Sequence, residues 1–148
     1  MSNRGAVPFE VTLAVRDACL CLHLQRAARA VARRFDEALR PAGLTSGQFS
    51  LLMSLNRPEP PRIGSVASLL AMDRTTLTAN IKPLERRGMV RVVIDAQDRR
   101  SRRLRLTPAG RAALAAAVPV WRQTHAAMER LLERSDPDQL RADLRALS

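Results

Sequence analysis

Tyrosine is absent from the 148 residues, and the other aromatics are three phenylalanines, Phe9, Phe35 and Phe49, and one tryptophan, Trp121. Proteins that read unpaired bases stack them on aromatic platforms, so this scarcity argues against a single-strand or RNA reader. Lysine occurs once, at Lys82, so the basic character is almost wholly arginine. The two cysteines, Cys19 and Cys21, are too close along a helix for an unstrained disulfide within it, so any disulfide would have to join different chains. No apolar run approaches the ~20 residues that span a bilayer, and the N-terminus lacks a secretory signal pattern, so we expect a cytoplasmic protein with no membrane partner. A Gly-rich phosphate loop, a nucleophile elbow and paired metal-ligand motifs are missing too, which points away from catalysis. Cys19, His23 and His125 are too few for a zinc site, and neither a metal nor a cofactor is expected.

What the chain does have is positive charge, 25 Arg+Lys against 14 Asp+Glu for a net +11, and the excess is local. Residues 62–111 hold 12 basic and 4 acidic side chains, and the remaining 98 residues hold 13 and 10. This is the charge distribution of a polyanion-binding module set in a near-neutral scaffold. The length suits one domain, or one subunit that completes its core with a partner.

The order of elements inside the basic block sharpens this. Two short helices are predicted, over 65–70 and 74–87, joined by a tight break at Ala71–Asp73, with Asp73 capping the second by accepting from Thr75 or Thr76. At 100° per residue Leu77, Ile81 and Leu84 face inward, while Thr75, Ala79, Lys82 and Arg86 face outward with Thr76 and Thr78 on the flanks. Small, hydroxyl and cationic groups on an outward face suit entry into a major groove, where carboxylates would be repelled by phosphate. Pro83 removes one helical N–H and predicts a local bend. Gly88 stops the helix. Beyond it, Val90, Val92 and Ile94 alternate with Arg91 and Val93, and after a polar turn Leu104 and Leu106 alternate with Arg103 and Arg105, predicting a β-hairpin. Its tip, from Asp95 to Arg103, reads as solvent-facing and carries Arg99, Arg100, Arg102 and Arg103, the side chain favoured in narrow minor grooves.

Either side lie long apolar-striped helices. Residues 11–39 contain no Pro or Gly and predict a single helix roughly 43 Å long, ended by Pro41 and Gly43. Thr45 and Gln48 form a capping box for a helix burying Phe49, Leu52 and Leu55. Thr107-Pro108 opens a helix striped by Leu114, Val118, Trp121, His125, Met128 and Leu132, bent at Pro119, and Asp136-Pro137 opens a last one with Leu140, Leu144 and Leu147. These terminal helices carry little excess charge and read as a dimerisation region.

The stretch Asp73 to Val90, followed by Asp95 to Gly110 ending Leu104-Arg-Leu-Thr-Pro-Ala-Gly110, resembles the multiple antibiotic resistance regulator (MarR) family of winged-helix transcription factors, and the resemblance runs over essentially the whole chain. It implies a mainly α (α+β) fold: a winged helix-turn-helix with a two-stranded wing and terminal dimerisation helices. The expected organisation is one subunit over residues 1–148, a DNA-binding region over 45–111, and dimerisation helices over 9–40 and 108–148. The implied partner is a pseudo-palindromic double-stranded DNA operator bound by a homodimer, usually a repressor released by a small aromatic or anionic effector or by an oxidant. In the family's wing an Asp-x-Arg element, matched by Asp98 and Arg100, uses Arg on DNA and Asp to hold the wing. Arg62 stands where a hydroxyl residue is common in the family.

A hydroperoxide-sensing branch places a reactive cysteine after a leucine in the first helix, and Leu20-Cys21 preserves that offset from Leu44-Thr45. The tyrosines that bond its thiolate have no counterpart, Phe35 and Gln25 standing at two such positions, so packing is the default for Cys21 and redox sensing the alternative. An effector pocket is expected where the first, second and long C-terminal helices meet, near His23, Phe49 and Trp121. A non-specific architectural DNA-binding protein is the rival from another class.

Overall fold

The computed structural model describes residues 5–148, so the first four residues of the expected 1–148 subunit lie outside the described residues. Helices α1 (Phe9–Ala18) and α2 (Leu20–Leu39) lead through a 3-10 turn (Arg40–Ala42) to α3 (Ser46–Leu55), α4 (Ile63–Leu69) and α5 (Arg74–Arg86). Strands β1 (Val90–Ile94) and β2 (Arg102–Leu106) pair antiparallel, and α6 (Pro108–Glu129) and α7 (Pro137–Ala146) complete the chain. The expected mainly α winged helix-turn-helix with a two-stranded wing is what forms.

Local chemistry sets most boundaries. Thr45 and Gln48 make both halves of the capping box, Thr45 Oγ1 accepting from Gln48 N at 3.2 Å and Gln48 Oε1 from Thr45 N at 3.1 Å. Such a cap contributes about 1 kcal/mol. Asp73 accepts from Thr76 N at 2.7 Å, and with its charge held by that N–H its carboxyl lies below the usual carboxylate range. The turn between α4 and α5 is made by Ala71 at φ 51°, where Met72 N reaches back to Ala67 O at 2.9 Å. This is the left-handed helix stop that glycine normally supplies, and alanine adopts it at a cost of roughly 1–2 kcal/mol. Gly88, at φ 70°, makes the same stop after α5 with Met89 N on Leu84 O. Pro83 lies inside the last turn of α5, which runs on only to Arg86.

The core forms around Leu39, Leu52, Leu77, Leu84, Val90, Leu104 and Ala117, all no more than 1% exposed. Leu77, Ile81 and Leu84 are its contribution from α5, as their spacing required. Thr107 ties three elements together at its edge: its hydroxyl donates to Gly88 O at 2.6 Å and accepts from Gly110 N, while its own N–H donates to Met89 O. A side chain at Gly110 would collide with that Met89 carbonyl, so α6 closes on the hairpin only because residue 110 is glycine.

Four expectations need correction. The single helix over 11–39 is interrupted at Cys19, whose ψ of 110° is extended. No residue of α1 is buried, so no packing within the chain holds it collinear with α2, and Cys19 O still accepts from His23 N and lies 2.8 Å from His23 Nδ1. The inward face of β1 is buried only at Val90, with Val92 and Ile94 exposed. Four residues at ~3.4 Å each carry Ile94 about 14 Å from Val90, past the edge of the core. Asp95, expected in an exposed tip, is 2% exposed. Finally α6 stops at Glu129, before Leu132, where Arg141 of α7 donates to the Glu129 carboxylate at 2.7 Å.

Candidate nucleic-acid interface

The outward face of α5 presents Thr75, Thr76, Thr78, Ala79, Lys82 and Arg86, every one exposed. Two of the hydroxyls already donate locally, Thr76 Oγ1 to Asp73 Oδ2 at 3.0 Å and Thr78 Oγ1 to Arg74 O at 2.8 Å. Their lone pairs are what remain, which suits acceptance from base amino groups. The central strip of this face, Thr75, Ala79, Lys82 and Arg86, carries no carboxylate, and exposed Glu85 lies on the Thr78 flank.

The wing tip is shaped by Asp98. Its carboxylate accepts from Ser101 Oγ at 2.8 Å and from Arg100 N at 3.0 Å, and these two bonds, the hydroxyl first, hold it below the usual carboxylate range. Asp98 therefore folds the turn instead of facing outward, and Arg99 and Arg100 project from that turn into solvent. Arg102 lies at the start of β2 and donates through Nη1 to Arg99 O at 2.9 Å.

Arg103 departs from the expectation that it joins the groove-facing arginines. Its Nε donates to Asp95 Oδ2 at 2.8 Å and its Nη1 to Pro60 O at 2.7 Å, so its guanidinium braces the root of the wing. Asp95 Oδ2 also accepts from Arg62 Nε at 3.1 Å, and Oδ1 from Gln97 N at 2.8 Å. These contacts, led by the Gln97 N–H, overcome the cost of burial and lower the Asp95 carboxyl from its ordinary value of 3.8 to about 2. Leu104 N donates to Pro61 O at 2.9 Å, adding a backbone link between the loop before α4 and the hairpin. Arg62 makes no side-chain cap on α4, since a guanidinium has no acceptor for a helix N–H, and its side chain is turned to Asp95 instead. The arginine partners of Asp95 lie 8 and 33 residues away, and the residue-type signal was a carboxylate at the root of an arginine-rich wing.

Between these parts runs a cleft of about 500 Å³ lined by Arg62, Ile63, Gly64, Ser65, Arg74, Thr78, Arg100, Ser101 and Arg102. It brings the start of α5 and the wing to one concavity. Arg62, Gly64, Ser65 and Arg74 were absent from the sequence-derived set. Arg74 was legible as the first residue after the Asp73 cap, but which way it turned was not.

A second cavity, of about 290 Å³, lies between α2, α3 and α6, lined by Ala28, Val31, Ala32, Phe35, Leu39, Ser46, Phe49, Ser50 and Trp121. Phe49 and Trp121 stack at 6.2 Å between centroids, and Trp121 stacks on His125 at 5.0 Å. His23 is not with them; it lines a separate groove beside Arg26, Arg29 and Arg33. At 100° per residue His23 lies about 140° round α2 from Ala28, so helical phase separates it from the cavity and favours His125, one turn after Trp121. Cys21 is an exposed free thiol in the first turn of α2, which leaves the default of packing without support inside the chain. No helix among the described residues is long and apolar enough to cross a membrane.

A winged helix-turn-helix with an uncharged-to-cationic recognition face and an arginine-tipped wing defines a class of double-strand DNA readers. The MarR family model matches residues 44–101. The Mycobacterium tuberculosis transcriptional regulator MosR, solved in complex with DNA, is 40% identical over 87% of this chain and 92% of its own, with a TM-score of 0.79. The transcriptional repressor CouR bound to a 23-mer duplex is 31% identical over 91% and 96% of the two chains, with a TM-score of 0.78. CouR from Rhodococcus jostii has also been solved with p-coumaroyl-CoA, at 26% identity, 88% and 90% coverage and a TM-score of 0.68. The transcriptional activatory protein BadR of Rhodopseudomonas palustris is 36% identical over 95 residues, 62% of this chain, and that match spans 54% of BadR's own length. The chain belongs to the MarR family. These relatives are transcriptional regulators, not enzymes.

Proposed function

We propose that this chain is a cytoplasmic, homodimeric, sequence-specific DNA-binding regulator that represses until a small aromatic molecule enters the cavity beside Phe49 and Trp121. The observation that carries the DNA reading is the convergence of α5 and the wing on one cationic concavity, since these parts must meet adjacent grooves of one duplex. Thr75, Thr76, Thr78, Ala79 and Lys82 read the major groove, Arg86 takes a phosphate, and Arg99, Arg100 and Arg102 work at the minor groove. The dimer reading is supported by α1 and α7, which are amphipathic and bury nothing on their own chain. Two recognition helices would then meet half-sites about 34 Å apart. The cavity is aromatic, none of its lining side chains is cationic, and its volume sits near the ~300 Å³ lower end for ligand sites, which favours a small aromatic effector over an anionic one.

The test is selection of bound duplexes from a random pool, followed by competition. Recovery of an inverted-repeat duplex that stays bound under excess random DNA is expected, with one dimer per duplex by sedimentation. Loss of that duplex in proportion to competitor mass would make the protein an architectural DNA binder. Disruption of the gene is expected to raise transcription from promoters carrying the selected duplex.

A further inference from the structure

The cleft between α4, α5 and the wing gathers four guanidinium groups, Arg62, Arg74, Arg100 and Arg102, with no carboxylate in its lining. Like charges so placed repel one another, and an anion seated among them relieves that repulsion. Arg62 and Arg74 keep open donors: Arg62 gives Asp95 only its Nε, leaving both terminal nitrogens, and among the described residues the Arg74 guanidinium has no hydrogen-bond or ion-pair partner. Arg74 lies flat on α4 because residue 64 is glycine. A Cβ at Gly64 would stand 2.7 Å from Arg74 Nη2 and 3.4 Å from its Cζ. The buried Asp95 fixes Arg62 from behind, so the fork is aimed before any ligand arrives.

We propose that this cleft seats a phosphodiester of the strand that separates the major groove, read by α5, from the minor groove, reached by the wing. Arg74 and Arg62 are its principal ligands, and Gly64 is the floor that lets Arg74 reach it. The assignment rests on the DNA-binding reading above. A duplex backbone is the source of phosphate because the two walls of the cleft are the two groove-reading elements, and the ridge between grooves is a phosphate strand. Charged hydrogen bonds from a planar fork to nonbridging oxygens are the chemistry this geometry offers.

Substitutions of the full-length chain separate this from mere surface charge. With the selected duplex, replacing one phosphodiester at a time by neutral methylphosphonate is expected to weaken wild-type binding about tenfold at one position per half-site. Arg74→Gln should lose about tenfold on the unmodified duplex, shrink the log–log salt slope by about 1 per subunit, and show no further loss at that position. Gly64→Ala should lose affinity in the same direction with an unlowered melting temperature, since alanine favours a helix over glycine and only the flexible end of Arg74 must move. The proposal is overturned if Arg74→Gln stays as sensitive as wild type to every neutralised phosphate, or if Gly64→Ala binds like wild type. Saturable binding of inorganic phosphate to the DNA-free protein, lost in Arg74→Gln, would instead make the cleft a free-anion site. Recovery of no duplex by the wild type sinks the regulator reading and this one together, whereas recovery without the phosphate signature sinks this one alone.

Discussion

The winged-helix half and the terminal helices solve opposite problems. From Leu39 to Ala117 the apolar side chains close into one cluster within the chain, and the charge surplus lies on the surface of that half. In α1 and α7 no residue is fully buried, and Phe9, Val15 and Leu144 are exposed, as are Leu20 at the start of α2 and Leu147 just after α7. Covering a Leu or Phe is worth roughly 1.5–3 kcal/mol, so the terminal helices leave a large stabilisation unused in the single chain. One half closes its apolar core within the chain and carries the cationic surface. The other leaves apolar side chains uncovered, which the proposed dimer would bury.

The largest expected effect attacks that contrast directly. Leu77→Ala, at a fully buried site, should cost about 2–5 kcal/mol in urea unfolding at any protein concentration. Leu147→Ala, at a site 62% exposed, should cost less than about 2 kcal/mol and only through association, so its deficit should change as the protein is diluted. Equal and concentration-independent losses for the two would mean that α7 belongs to the same core as α5, and the contrast between the halves would be gone.

The same division explains what could be read before the structure. The winged-helix half was legible because its signals are local: the Thr45–Gln48 box, the Asp73 cap, the Gly88 stop and the period-two hairpin are each written within a few residues. The Cys19 break was not, since no Pro or Gly marks it. Asp95 was misplaced for the reverse reason: its burial is made by Arg62 and Arg103, which meet only once the loop before α4 lies against β2. In the candidate site, the α5 face followed from helical phase alone. Arg62 and Arg74 needed the cleft, which three separate elements assemble.

A smaller effect sharpens the comparison on the functional side. Arg100→Ala removes an exposed wing-tip guanidinium that makes no contact with the core, so melting and association should be unchanged while binding to the selected duplex weakens by about 1–3 kcal/mol at physiological salt. Unchanged affinity would take the wing out of the interface. A lowered melting temperature would mean that the tip is part of the folded core, contrary to its exposure.

The smallest effect is a pH dependence, and it too differs between the halves. Asp95 at the wing root is lowered to about 2, first by the Gln97 N–H and then by Arg103, while Glu129 at the α6–α7 joint is lowered chiefly by Arg141. A carboxyl with a depressed folded pKa stabilises the native state above its unfolded value and loses that contribution as the pH falls through the folded one. For Asp95 the contribution is complete above about pH 4 and disappears between pH 4 and about 2. Asp95→Asn should therefore be less stable than wild type at neutral pH, and the gap in urea midpoint should narrow across that acid window. Glu129→Gln, measured alongside, should leave the Asp95 window in place, because its ion pair joins the terminal helices and not the wing. A gap between wild type and Asp95→Asn that stays constant down to pH 2 would mean that the carboxylate's charge does not hold the wing, and that the Arg62 and Arg103 contacts are incidental.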